Sequence, residues 1–211
     1  MCFKRRLFER ALTVCMDSNA QNFIVAILIA GTLSAQPRTY ELAPTEGSHF
    51  TFEVYKTGLM AGKKHKFVFQ RYSGQTTFDE AKPEDTKVRL VIDTRSVVCT
   101  DTWVSEGNRK KIQEAARDQM MQADKFPEMI FTSSKVTPKG AGTYDVEGKL
   151  SIKGVERPVL IQVTVKPQEF AGNARIKLST WGMKPPPNKT LGLINTKDEM
   201  GVLFLLKATP N

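Results

Sequence analysis

Cysteine and histidine are scarce in this chain of 211 residues, which holds three cysteines (Cys2, Cys15, Cys99) and two histidines (His49, His65). Cysteines so few and so spaced exclude a disulfide scaffold and a cysteine-based metal site. With two histidines, a serine, histidine and carboxylate triad has almost nothing to draw on. The motifs HExxH, GxSxG, GxxxxGK[ST] and GxGxxG are absent, and no carboxylates stand at metal-ligand spacing. No nucleophile, base or metal site is visible, and the chain reads as a protein without enzymatic chemistry. Nor does any apolar run approach the ~20 residues that a membrane-spanning helix needs. The longest, Phe23 to Leu33, has 11.

What is present describes one ordinary folded domain: 40% apolar residues, 25% charged, 14 Gly and 11 Pro. Lys and Arg number 31 against 22 Asp and Glu, a net charge of +9 that favours phosphate groups, anionic lipid or nucleic acid as partners. Lys4, Arg5, Arg6 and Arg10 precede the apolar run, and Ser34 and Ala35 follow it. Residues 1–35 therefore read as a signal segment cut after Ala35, leaving residues 36–211 as the exported domain, periplasmic or secreted; an uncleaved N-terminal membrane anchor and a start placed too early before a long basic leader are the alternatives. Cys99 is then the only cysteine left and reads as a buried thiol.

Beyond residue 48 the chain alternates with a period of two, as half-buried strands do. Phe50, Phe52 and Val54 begin the pattern, and Phe67 and Phe69 follow across a turn at Gly58 to Gly62. Thr76 and Phe78 come next, then Val88, Leu90 and Ile92, then Ile130 to Ser134, and then Tyr144 to Ile152. After a turn at Lys153-Gly154 come Val159 to Val165, then Ala174, Ile176 and Leu178, and finally Val202 to Leu206. Eight or nine short strands predict an all-β sandwich or barrel. One helix interrupts them between Asn108 and Asp124, where Ile112, Ala115, Ala116 and Met120 recur at helical spacing. Met183 to Thr196, with three consecutive prolines, predicts a long loop, and Asn188-Lys189-Thr190 within it matches a glycosylation acceptor.

Several blocks are specific when taken in order. Arg71 to Asp79 (RYSGQTTFD), Val88 to Ser96 (VRLVIDTRS), Arg117-Asp118, Phe126 to Ser134 (FPEMIFTSS), Gly148 to Val155 (GKLSIKGV) and Pro158-Val159 together resemble the YceI-like family. That resemblance implies an extended, lipocalin-like antiparallel β-barrel of about eight strands, exported to the periplasm. It also implies an apolar interior that takes the chain of a polyisoprenoid lipid, a quinone or an isoprenoid phosphate, with no other cofactor. The chain departs from the family at Tyr55-Lys56, where a histidine is common, and between Ser96 and Arg117, a longer stretch carrying Trp103.

An eight-stranded barrel is either just filled by its side chains or has room for one small ligand, and alternation looks the same in both cases. If a cavity exists, the more apolar face of each strand supplies its lining: Phe52, Val54, Phe69, Leu90, Ile92, Met120, Phe126, Phe131, Val146, Leu150, Val163, Leu178 and Phe204. A one-residue slip of register would swap that set. Lys56, Lys63, Lys64 and Lys66 cluster between the first two strands, either as a solvated turn or as point charges for a phosphate head group. Arg117 beside Asp118 reads as a pair that holds the helix against the barrel. His49 and His65 read as solvent-facing, and with Asp93 they are the only candidates for chemistry on a bound lipid. Three classes of function stay open: a lipid carrier or store in peripheral contact with an anionic membrane, a structural or stress-related barrel with a filled core, and a lipid-acting enzyme. Nucleic-acid binding is disfavoured, because an exported protein rarely meets nucleic acid and the lysines are not interleaved with exposed aromatics. Pairing of two barrels as a homodimer is left open.

Overall fold

The computed structural model describes residues 37–186 and 193–210. The signal segment expected at 1–35 and the glycosylation acceptor at 188–190 lie outside the described residues. Eleven strands are described: β1 (Arg38–Leu42), β2 (His49–Gly58), β3 (Lys64–Phe69), β4 (Tyr72–Phe78), β5 (Lys87–Asp93), β6 (Val97–Cys99), β7 (Glu128–Gly140), β8 (Thr143–Ile152), β9 (Val155–Lys166), β10 (Glu169–Ile176) and β11 (Ile194–Pro210). Helix α1 (Glu106–Glu114) lies between β6 and β7 and continues as a wider π turn through Met120. Ser105 caps it by accepting from the Asn108 amide.

All pairings are antiparallel, and they close into an eight-stranded barrel. Leu42 of β1 faces Ala208 of β11, and His49 of β2 faces Leu205, so β1 and β2 follow one another along β11 as one bent strand. Behind them β4 pairs with β1 and β3 with β2, and then β5 pairs with β4 and β6 with β3. Three bent strands and five continuous ones make the ring, which closes between β1 and β11. Closure gives β1, β4, β5 and β7 to β11 a partner on each side, while among the described residues β6 pairs with β3 alone and its other side stands as a short edge.

The bend is stitched by residues of the two motif blocks around Arg71 and Asp93. The Ser96 hydroxyl donates to the Asp93 carbonyl at 2.7 Å and accepts from the Arg71 amide at 3.0 Å. Asp93 accepts from the Arg71 guanidinium at 2.9 Å and from the Arg95 amide, also at 2.9 Å. Its carboxyl is held below the usual range, because these hydrogen bonds outweigh the opposing effect of burial. Thr94 carries the bend over to the helix exit: its amide donates to the Pro127 carbonyl and its hydroxyl to that of Phe126. The β8–β9 turn is tight, with Lys153 and Gly154 both at positive φ (53° and 73°), a two-residue hairpin geometry that favours glycine.

Four expectations are corrected. The helix begins at Glu106 and gives way to the π turn at Ala115, not running regularly from Asn108 to Asp124. Leu178 does not extend a strand; β10 stops at Ile176, and Leu178–Trp181 is a 3₁₀ turn pinned by the Trp181 indole, which donates to the Leu150 carbonyl. The proline-rich loop ends sooner than Thr196, since β11 begins at Ile194. Arg117 and Asp118 bond to each other at 2.6 and 2.9 Å on the exposed surface, so the pair does not clasp the helix to the barrel.

Candidate functional site

Inward alternation from the ring strands leaves a cavity of about 90 Å³ inside the barrel. Its wall carries no charged residue, and apart from Thr76, Thr86 and Tyr144 every lining side chain is apolar. Phe78, Tyr144, Phe170 and Tyr40 meet edge to face at the end where β7 turns into β8, with ring centroids 5.6 to 6.3 Å apart. Burial and the nearby Glu80 push the Tyr144 phenol up, so it stays neutral. Phe50 stacks on Phe204 at 6.2 Å further along the wall.

Eight of the residues expected to line a cavity do so: Phe52, Leu90, Ile92, Phe131, Val146, Leu150, Val163 and Phe204. The other five do not border it. Val54, Phe69, Met120 and Leu178 are buried in the core that continues from the wall, where side chains fill the space. Phe69 shows how near this is, with its ring edge-on to that of Phe52 at 4.9 Å. Phe126 is half-buried under Lys125, outside the cavity. Phe50, Val88, Met129, Ile161, Val202 and Leu206 also line the cavity and share strand parity with the expected residues, so the alternation itself carries their signal. Thr76 and Thr86 had no such signal.

The lysines do not converge on the cavity. Lys64 pairs with Glu53 at 2.6 Å, Lys63 sits over the Trp103 ring, Lys56 is half-buried and donates to Thr196, and Lys66 is exposed. Nor do the candidates for chemistry come together. His49 is exposed at the start of β2, whereas His65 pairs in register with Val54, five residues along, and Asp93 is engaged by Arg71 and Arg95. His65 is buried, not solvated, because β3 turns it to the same side as Phe67 and Phe69 while Lys64 and Lys66 face out. Its Nδ1 lies against Asp101, and its ring stacks on Trp103 at 5.2 Å. Cys99 is free and buried, as expected. Among the described residues no group of His, Cys, Asp and Glu could hold a metal ion, and no helix is long and apolar enough to cross a membrane.

An eight-stranded antiparallel barrel around an apolar interior defines the class of protein, and comparison with known proteins gives the family. The model of the YceI-like domain matches residues 40–208, and the chain belongs to that family. It is 30% identical to the protein YceI of Salmonella newport over 183 residues, 87% of this chain and 86% of that one. With a UPF0312 protein of Vibrio parahaemolyticus it shares 31% over 148 residues, 70% of this chain and 71% of the other. The crystal structure of Burkholderia cenocepacia BcnA is similar with a TM-score of 0.61 at 27% identity, covering 76% of this chain and 96% of that one.

Proposed function

We propose that this is an exported binding protein that holds the hydrocarbon chain of an isoprenoid lipid, a quinone or a polyprenyl phosphate, inside the barrel for transport or storage, with no chemistry performed on it. One observation carries the reading, an interior void whose wall is uncharged and almost wholly apolar. A chain entering it gains ~0.8 kcal/mol per buried methylene. The processed domain is residues 36–211. A charged head group stays outside, since the lining offers no charge to pair with it.

The protein meets its lipid at an anionic membrane surface. Leu59 and Leu193 are 78% and 58% exposed, and the Leu59 amide donates to the Leu193 carbonyl, so both stand on one edge beside Lys63. An exposed apolar tip next to a basic side chain suits the interface of an anionic bilayer.

The cavity volume favours a second reading. About 90 Å³ is below the ~300–1,000 Å³ of most small-molecule sites, so a long chain enters only if lining side chains swing aside. A barrel that keeps them in place is a filled structural or stress-related protein. Native mass spectrometry with farnesene, a short isoprenoid hydrocarbon, separates the two. The carrier reading predicts one bound farnesene, and less in Ala174→Leu, which adds bulk to the wall and is checked for folding by circular dichroism. No uptake by the unaltered chain supports the filled barrel.

A further inference from the structure

Two hydroxyls inside the cavity have nothing to bond. Thr76 is 2% exposed and Thr86 6%; both line the void, and neither Oγ1 has a hydrogen-bond partner. Strand register places them together. Thr76 faces Val88 across the β4–β5 pair and Thr77 faces Lys87, the first residue of β5, and Thr86 immediately precedes it at the exit of the 3₁₀ turn Pro83–Asp85, so both threonines border the void at this end of the pair. Buried hydroxyls are nearly always satisfied, and leaving one unpaired costs free energy that an apolar residue of the same shape would not. At Thr76, in β4, valine fits a strand at least as well as threonine does, and at Thr86, which follows the 3₁₀ turn Pro83–Asp85 with its side chain in the apolar void, an apolar residue of the same shape leaves no polar group unpaired. Their hydroxyls therefore call for a partner that the protein itself does not supply.

We infer that Thr76 and Thr86 form a subsite for an uncharged oxygen, a hydroxyl or a carbonyl, carried by the apolar chain that occupies the barrel. This rests on the reading of the cavity as a chain-binding site. A threonine hydroxyl both donates and accepts, so either kind of oxygen can be met. A phosphate cannot, because no charged side chain borders the void and burying an unpaired anion there is prohibitive. The subsite lies toward the aromatic end formed by Phe78 and Tyr144, so the oxygen sits at that end and the hydrocarbon runs back along the barrel toward Ile92 and Met129. Among isoprenoids, the subsite selects neutral alcohols and ring ketones over charged phosphates.

The test compares three ligands with one chain, farnesol, farnesene and farnesyl phosphate, on the full chain and on the double variant Thr76→Val/Thr86→Val. The double variant should bind farnesol about tenfold more weakly, as expected for two lost hydrogen bonds, and should bind farnesene and farnesyl phosphate as before. Without ligand its Tm should rise, since two unpaired hydroxyls are gone. Unchanged farnesol binding, or an equal loss for all three ligands, would overturn the subsite while leaving the chain-binding reading standing. A lower Tm without ligand would overturn it too, by showing the hydroxyls already satisfied in the empty barrel. If the unaltered chain binds none of the three, the chain-binding reading fails and the subsite with it.

Discussion

Nδ1 of His65 lies 2.5 Å from Oδ2 of Asp101, and both side chains are buried. The other carboxylate oxygen accepts from the Lys66 amide at 2.8 Å. A carboxylate only accepts, so Nδ1 carries the hydrogen. Burial pulls the His65 pKa below the ordinary histidine value, with Lys56 adding to the effect, and the hydrogen bond to Asp101 opposes without cancelling it.

The sign of the pH dependence follows from that depression. The unfolded chain takes up the proton first, so stability is unaffected above about pH 6.5 and falls as pH drops below it, by at most ~1.4 kcal/mol per pH unit. Urea unfolding from neutral to mildly acidic pH checks this, with His65→Phe as control. The variant's stability should decline less steeply than that of the unaltered chain, and parallel curves would contradict the assignment.

Cys99 should be inert in the folded protein. Burial pushes its thiol up to about 11, leaving almost no thiolate at neutral pH. Iodoacetamide labelling followed by peptide mass spectrometry should find Cys99 unmodified in the native protein and fully modified in denaturant. Labelling at equal rates in both states would mean that the strand pair holding it opens freely.

Gly148 marks a close approach in the barrel wall. A Cβ there would stand 2.6 Å from the Phe131 ring and 2.5 Å from the Thr132 carbonyl. Gly148→Ala should cost ~1–3 kcal/mol of stability, the usual penalty for overpacking. Chemical denaturation measures it, and an unchanged midpoint would show that Phe131 swings aside without cost.

At the tip, Leu59→Asp should weaken binding to phosphatidylglycerol vesicles by tenfold or more, since burying one leucine contributes ~1.5–3 kcal/mol. Co-sedimentation checks it. Equal binding by both proteins would move the contact to another face.

The barrel was largely legible because one face of most strands is buried and the other is not. Val146 and Leu150 are buried while Glu147 and Lys149 between them are exposed, so β8 declares its faces outright, whereas β2 is buried on both faces from Phe50 to Val54. β1 escaped because its five residues bury only Leu42, and its pairing with β4 and β11 is long-range. His65 was misread for a local reason: three lysines surround it in sequence, and only the strand geometry separates it from them. Parity found the cavity wall but could not say where the wall borders a void and where it is packed solid, since Val54 and Phe52 share a face. Whether a buried hydroxyl finds a partner depends on contacts distant in sequence, so neither Thr76 in its strand nor Thr86 after its 3₁₀ turn stood out.

The central claim is that the barrel carries a lipid chain. The measurement that tests it most directly is organic extraction of the protein purified from its own cell envelope, with mass spectrometry of the extract. The account predicts an isoprenoid species in near-stoichiometric amount, and a neutral oxygen on that species if the threonine subsite is right. A clean extract, followed by no uptake of added isoprenoid, would contradict it and leave a filled barrel.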